Sequence, residues 1–237
     1  MVGVAWSMSR AHDGEDRRDP RLTSTAYLVL KPLARFIQAF AEGLVRESPC
    51  VVVDIGCGDA PYRTLFARSG VRYVGVDRRP SAGARAIGAS EALPIRTGAV
   101  DGVLCTQLLE HAESPVQTLR EIARILRPGG RAFVSAPGAY VYHPSPHDYW
   151  RWTEEGLRKV LRDTGAFTRI EIAPCGGTLS SLFLLWALEL QGLAPLKYTV
   201  IPILNLLGEA LDRAFPRADR GAPLIANFAA TMERTGP

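Results

Sequence analysis

Apolar runs alternate with amphipathic segments from residue 50 to residue 173 of this 237-residue chain. Short β-branched runs bounded by Gly, Asp or Pro are typical of buried strands, and apolar residues three and four positions apart indicate helices. The runs predict strands at 50–56, 71–77, 84–87, 100–106, 131–137 and 167–173. The periodic segments predict helices at 24–47, 61–68, 115–126 and 153–165, with a turn at 126–130.

This alternation predicts an α/β fold with a doubly wound, mainly parallel sheet. Ligands bind such sheets in the crevice beyond the carboxyl ends of the strands. We therefore expect the loops after Asp54, Asp77, Thr106 and Pro137 to face one site.

Composition and charge exclude several classes of protein. With 47% hydrophobic and 22% charged residues, the chain is neither disordered nor collagenous. Its four cysteines show no zinc-binding spacing and are expected as buried thiols in a reducing compartment. The formal charge of +4 is spread out, so a nucleic-acid partner is not expected. Residues 10–21 carry four arginines and four acids without an apolar stretch, which argues against secretion.

A glycine turn follows the first predicted strand. Gly56 and Gly58 let the chain turn sharply and let a ligand approach the backbone. Pro61 stands where a dinucleotide fingerprint needs its third glycine, which argues against a nicotinamide oxidoreductase. Asp54 suits the ammonium of a zwitterionic ligand, and Asp77 ends the second strand, where an acid accepts hydrogen bonds from ribose hydroxyls. The pattern predicts a nucleoside attached to a small charged group.

Six motifs follow in order from residue 53: VDIGCGD, YVGVD, SEALPI, VDGVLCTQLLEH, LREIARILRPGG and RAFVSAP. On these motifs the chain resembles class I S-adenosylmethionine-dependent methyltransferases of the UbiE-like, methyltransferase type 11 small-molecule family. The tract HDYWRWTEEGLRKVL resembles a subgroup seen with glycan and secondary-metabolite pathways. The resemblance, which covers residues 50–173, implies S-adenosylmethionine as cofactor and a Rossmann-like sheet of seven strands, the last antiparallel and predicted at 223–234.

The resemblance also implies roles for individual residues. Asp54, Gly56 and Gly58 would hold the methionine end of the cofactor, and Asp77 the ribose. Residues 89–91 would flank the adenine beside Leu93. Two residues would lie under the sulfonium, Thr106 and Gln107. The complete predicted cofactor-binding set is Asp54, Gly56, Cys57, Gly58, Asp77, Arg78, Ala89, Ser90, Glu91, Thr106 and Gln107.

Residues 88–91 (GASE) depart from the family pattern, which has an aspartate before the alanine–glutamate of this motif. That aspartate accepts from the adenine amino group, and such a hydrogen bond is worth about 1 kcal/mol. We expect weaker cofactor binding unless Ser90 or a main-chain carbonyl replaces the acceptor.

Methyl transfer to a hydroxyl requires a positioned acceptor and a group that takes up its proton. The candidates follow the predicted strands at 100–106 and 131–137, and they are Glu110, His111, His143, His147, Asp148 and Tyr149. We predict His147, His111 and Tyr149 as catalytic residues and expect no metal site. The alternative for His111 is a structural cap, and for Tyr149 a packing platform beside Trp150 and Trp152.

Residues 174–221 predict an apolar helical insertion before the last strand, with no charge from 172 to 188. One interpretation is two helices buried against each other and against helix 24–47, as a cap or a homodimer interface. The other is a cap that accepts a lipid-linked substrate or rests on a membrane surface. Four basic and four acidic residues between 174 and 223 make the segment neutral, so any lipid contact would be apolar. Gly, Pro and Glu189 argue against a membrane-spanning helix.

The predicted organisation is a flexible lead-in at 1–21, a cap helix at 22–48, a cofactor-binding core at 49–173 plus 222–237, and the insertion at 174–221. The predicted function is methyl transfer (EC 2.1.1) to a small-molecule, sugar or lipid-linked acceptor, at oxygen. The alternative is a catalytically inactive protein of the same fold that binds or scaffolds a partner. The predicted location is cytoplasmic, including the inner face of the membrane.

Overall fold

Seven strands form one sheet in the computed structural model, which describes residues 14–192, 198–215 and 224–236. The strands are β1 (Cys50–Ile55), β2 (Val71–Asp77), β3 (Ala84–Ile87), β4 (Val100–Thr106), β5 (Leu126–Pro137), β6 (Phe167–Pro174) and β7 (Asn227–Arg234). The helices are α1 (Gly14–Arg18), α2 (Tyr27–Val45), α3 (Pro115–Ile125), α4 (Glu154–Asp163), α5 (Thr178–Leu190) and α6 (Val200–Ala214).

The strand order is β3-β2-β1-β4-β5-β7-β6. The first five strands in this order pair in parallel, and β7 lies antiparallel between β5 and β6. The predicted α/β fold with an antiparallel last strand is therefore confirmed. Because β2, β1, β4 and β5 are parallel neighbours, their carboxyl ends meet at one edge of the sheet.

The two faces of the sheet are buried by different helices. Val53 and Val103 belong to the core that includes side chains of α3 and α4. Val52 and Leu104, one position away in each strand, belong to the core that includes α2. This period-two alternation between two buried faces explains why β1 and β4 consist almost wholly of apolar residues.

Three local predictions differ from the structure. The helix expected at 61–68 is only a short 3₁₀ segment, Arg63–Phe66, because the chain turns at once into β2. The turn expected at 126–130 belongs to β5, since Leu126 pairs with Val100. The flexible lead-in predicted at 1–21 contains helix α1, where the Arg18 guanidinium donates to the carbonyl of Pro61. Residues 1–13 of that prediction lie outside the described residues.

Helices α5 and α6 form the predicted insertion, and they pack on each other and on α2. Leu184 and Leu188 of α5 share a buried cluster with Tyr27 and Leu28 of α2. The Asn205 side-chain amide of α6 donates to two carbonyls in the segment before α2. A cavity of about 240 Å³ lies among these three helices. None of the described helices is both long and apolar enough to span a bilayer. Residues 193–197 and 216–223 of the insertion lie outside the described part.

Candidate functional site

The glycine turn after β1 is built by backbone conformations that favour glycine. Gly56 and Gly58 have φ angles of +69° and +51°. A Cβ atom on Gly56 would lie 2.3 Å from Cδ1 of Leu108, so a side chain there would displace Leu108 and would be strained by the positive φ. A Cβ atom on Gly58 would meet no described atom within 4 Å. The turn is therefore closed on the Leu108 side and open beside Gly58, where a ligand can approach the backbone.

Asp54 lies beneath this turn and is buried, with 1% of its surface exposed. The Tyr73 hydroxyl donates to Oδ2, whereas Oδ1 has no hydrogen-bond partner among the described residues. Burial raises the pKa of Asp54 from 3.8 to about 7, although the Tyr73 hydrogen bond and the Arg17 guanidinium oppose the rise. A ligand cation that reached Oδ1 would satisfy this atom and favour the charged carboxylate.

Asp77 ends β2 beside the same turn. Its Oδ2 accepts from the backbone N–H of Gly58 at 2.9 Å, and its Oδ1 accepts from that of Arg79 at 3.1 Å. Each carboxylate oxygen has a second lone pair, so two further donors such as ribose hydroxyls can bind. Arg78 is exposed on the turn that follows, and Cys57 is buried beneath the glycine turn.

Residues 90–95, the third predicted motif, are held in place by hydrogen bonds to the Glu91 carboxylate. Ser90 donates to Oε2 of Glu91 at 2.9 Å, and Oε1 of Glu91 accepts from the N–H of Glu113 at 3.1 Å. Ala89 forms a β-bridge with Ala92, and Leu93 is buried. A Cβ atom on Gly88 would lie 2.5 Å from Cδ of Pro94, so a side chain at this position would press on that ring.

Thr106 and Gln107 close the end of β4. Thr106 is buried and pairs with Ser135 of β5. Gln107 has a φ of +50°, and its side-chain amide donates to Ser135 at 3.0 Å and to Asn227 at 2.7 Å. The Gln107 amide group thus joins β4 to β5 and β7.

Glu110, His111 and His143 form a polar group, called here the Glu110 cluster. Glu110 is fully buried, and neither of its carboxylate oxygens has a hydrogen-bond partner among the described residues. Its Oε1 lies 3.9 Å from Nε2 of His111 and 3.8 Å from Nε2 of His143. Burial lowers the pKa of His143, but Glu110, the Val141 carbonyl and Asp148 outweigh this effect, so the pKa is raised overall.

The loop after β5 carries His143 into this cluster. Asp148 accepts from the backbone N–H of His143 at 2.9 Å and forms two bonds with Arg151, at 2.5 and 2.6 Å. Burial alone would raise the pKa of Asp148, but Arg151 and the His143 N–H lower it to about 2. Tyr149 and Trp150 donate their N–H groups to the carbonyl of Glu110. These bonds fix the loop against the segment after β4.

His147 and Tyr149, which the sequence predicts as catalytic, lie on the outside of this loop. Both are exposed, and their rings stack with centroids 5.2 Å apart. The predicted His111 belongs to the cluster, and its Nδ1–H donates to the His147 carbonyl at 2.5 Å. The structure therefore brings His111 together with Glu110 and His143 and leaves the His147 side chain at the exposed rim.

The chain is similar in sequence and in fold to known methyltransferases. A family model described as "Methyltransferase domain" matches residues 53–134. An uncharacterized methyltransferase from Mycobacterium sp. (strain JLS) is 37% identical over 94 residues, which are 35% of this chain and 37% of that protein. The ubiquinone biosynthesis O-methyltransferase of Xanthomonas oryzae pv. oryzae (strain PXO99A) is 31% identical over 99 residues, 35% of this chain and 41% of that one. The chain thus spans about two fifths of the length of these relatives.

Among solved structures, the fold matches 1,6-didemethyltoxoflavin-N1-methyltransferase of Burkholderia thailandensis with bound S-adenosylhomocysteine. The TM-score is 0.55 at 19% identity, with 94% of this chain and 84% of that chain covered. Together the comparisons confirm the fold and, over residues 53–134, the resemblance to a methyltransferase domain.

Proposed function

We propose that this chain, which carries a methyltransferase domain over residues 53–134, transfers a methyl group from S-adenosylmethionine to an oxygen of a small-molecule, sugar or lipid-linked acceptor. The observation that supports this most strongly is the unpartnered Oδ1 of buried Asp54, beside a glycine turn that is open at Gly58. The amino-acid end of the cofactor carries an ammonium group, which can donate a hydrogen bond to Oδ1 of Asp54.

In this proposal three features hold the cofactor. Asp54 accepts from its ammonium, and the backbone at Gly56 and Gly58 receives its amino-acid end. Asp77 accepts from the ribose hydroxyls, since each of its oxygens makes only one backbone bond among the described residues. Residues 89–91 and Arg78 stay predicted neighbours of the adenosine. When bound, S-adenosylmethionine supplies an electrophilic methyl group on a sulfonium.

The chain's remaining task is to position the acceptor and to assist the loss of its proton. The Glu110 cluster is suited to assist this loss, because it combines a buried carboxylate with two imidazoles at the same edge of the sheet. The loop that carries His143 is pinned by Asp148 and Arg151, so the cluster is held in place before any acceptor arrives. His147 and Tyr149 stand at the exposed rim, where they are proposed to contact the acceptor.

Exposed apolar side chains on the insertion favour an acceptor with a lipid portion. Helices α5 and α6 each leave apolar residues in solvent, namely Leu182, Trp186, Ile203, Leu206 and Leu207. Their spacing of three and four residues places them in a stripe along each helix. We propose that these exposed side chains, called here the insertion stripe, rest on a lipid surface that presents the acceptor.

Label transfer tests the activity. The chain is incubated with methyl-labelled S-adenosylmethionine and with separate panels of phenols, free sugars and polyprenyl-linked glycans. We expect label in the products of at least one panel, and the largest amount in the products of the lipid-linked panel. Label in none of them, with cofactor binding intact, would instead support the non-catalytic alternative.

A further inference from the structure

The carboxylate of Glu110 is buried without the partners that such a group requires. Its side chain has no exposed surface, and both oxygens lack a hydrogen bond among the described residues. A buried carboxylate is costly unless it is paired, hydrogen-bonded or bound to a metal. The two imidazoles that approach Oε1 stop at 3.8 and 3.9 Å, which is beyond hydrogen-bond distance.

Backbone carbonyl groups orient both histidines through hydrogen bonds to Nδ1, the ring nitrogen that does not approach Glu110. Nδ1 of His111 lies 2.5 Å from the carbonyl of His147, and Nδ1 of His143 lies 3.0 Å from that of Val141. A carbonyl only accepts, so each Nδ1 carries a proton, and in the neutral imidazole each Nε2 then has a lone pair for a metal ion placed beside Glu110. Metal-binding histidines are held by this same kind of second bond.

From this geometry we propose that Glu110, His111 and His143 bind one divalent transition-metal ion, for which zinc is the best match. One carboxylate and two imidazoles form a known zinc-binding set with an open position. The three ligand atoms lie within 4.8 Å of one another. Zinc holds tetrahedral ligand atoms about 3.4 Å apart, so the observed 3.8 and 3.9 Å separations contract by only about half an ångström on binding.

The open position on the ion can bind the hydroxyl of the methyl acceptor. This role rests on the proposed function. The cluster follows β4 and β5 at the edge where the candidate cofactor residues lie. An acceptor hydroxyl bound to the ion loses its proton to solvent water more readily, because a metal stabilises the negative oxygen, and this oxygen then accepts the methyl group. The sequence gives little warning of this site, since His143 lies 32 residues from His111 without a metal-ligand spacing.

Metal titration of the tag-free, chelator-stripped chain tests the proposal without any turnover. Calorimetry with zinc is expected to show one ion per chain, at micromolar or tighter affinity. Cobalt is expected to bind with visible absorption bands of a nitrogen and oxygen site. Glu110→Gln and His143→Gln are each expected to weaken binding by about tenfold or more, since even indirect partners of a metal are worth that much.

His147→Gln is the matched control, because its exposed imidazole lies outside the cluster while its carbonyl is retained. Circular dichroism and thermal melting check that every variant folds. If Glu110→Gln does not fold, His143→Gln decides the question, because that side chain is partly exposed.

Three outcomes overturn the proposal. They are the absence of stoichiometric zinc binding by the unaltered chain, unchanged affinity in the folded variants, and cobalt bands that indicate thiolate ligands from the buried cysteines. Metal binding and S-adenosylmethionine binding are measured separately. If the chain fails to bind the metal, its binding of S-adenosylmethionine can still be interpreted, and the reverse also holds.

Discussion

At the scale of the residue, Asp54 is the most informative side chain. The sequence predicts it as a ligand for an ammonium, and the structure adds an unused oxygen and a raised pKa. Its partner Tyr73 follows from strand pairing. Val52 is opposite Tyr73 and Asp54 is opposite Gly75, so Tyr73 shares the face of Asp54, and its hydroxyl donates to Oδ2 of Asp54.

The raised pKa of Asp54 predicts a pH dependence of stability. Because the folded pKa lies near 7 rather than 3.8, protonated Asp54 stabilises the fold below about pH 4, and this contribution is lost as the pH rises through 7. The loss is on the order of 4 kcal/mol, at about 1.4 kcal/mol per pKa unit. Asp54→Asn is therefore expected to show a flatter profile than the unaltered chain.

Urea unfolding of both proteins from about pH 4 to pH 8, without cofactor, measures this difference. The two free energies of unfolding are expected to diverge as the pH rises, with the variant the more stable at the upper end. Parallel profiles would show that Asp54 ionises normally in the fold.

Residues brought together from distant segments are harder to predict. The sequence names Glu110, His111 and His143 among six candidates but ranks His147 first. The loop after β5 has no regular period, so spacing alone does not tell which histidine points inward. The bonds of Asp148 to Arg151 and to the His143 N–H decide it, and they depend on the folded loop.

At the scale of the element, strands are predicted best. Buried parallel strands require continuous β-branched runs, which are visible in the sequence, and their terminal Asp54 and Asp77 fall where expected. Short elements are predicted worst. The 3₁₀ segment Arg63–Phe66 and the five-residue α1 have too little periodicity to identify, and α1 depends on its contact with Pro61.

Helices α5 and α6 of the insertion expose apolar side chains, and these side chains predict lipid binding. Trp186 and Leu206 are 61% and 51% exposed, and burial of such side chains in lipid is worth about 1–2 kcal/mol each. The double variant Trp186→Ser with Leu206→Ser is expected to lose at least about fivefold in vesicle binding. Because the insertion is neutral, anionic lipid is expected to change little.

Flotation with neutral phosphatidylcholine vesicles measures this binding. Ile87→Ser is the control, since Ile87 is 53% exposed but lies on β3, outside the insertion. If the insertion stripe instead joins two copies of the chain, the protein sediments as a dimer and does not float. Equal flotation of the double variant would also refute the lipid contact.

At the scale of the whole molecule, the insertion is part of the fold rather than an appendage. Ser181 of α5 accepts from the N–H of Ala226 at 3.0 Å, just before β7. Gly208 of α6 packs against Leu28 of α2, where a Cβ atom would lie 2.9 Å from that side chain. The helix pair and the sheet are therefore joined, so a surface on the insertion has a fixed position relative to the candidate site.

We propose that the edge formed by β1, β2, β4 and β5 binds S-adenosylmethionine. Calorimetric titration of the whole chain with S-adenosylmethionine, S-adenosylhomocysteine and NAD tests it most directly. We predict binding of the first two with one site per chain, no binding of NAD, and a loss of at least about tenfold in Asp77→Asn, in which two charge-assisted hydrogen bonds are weakened.

Asp163→Asn is the control, because Asp163 is exposed on α4 and pairs only with Lys159 among the described residues. We predict that this variant binds both adenosyl ligands as the unaltered chain does. Failure of the unaltered chain to bind either adenosyl ligand would show that this edge is not a cofactor site, and undiminished binding by Asp77→Asn would refute the role of Asp77.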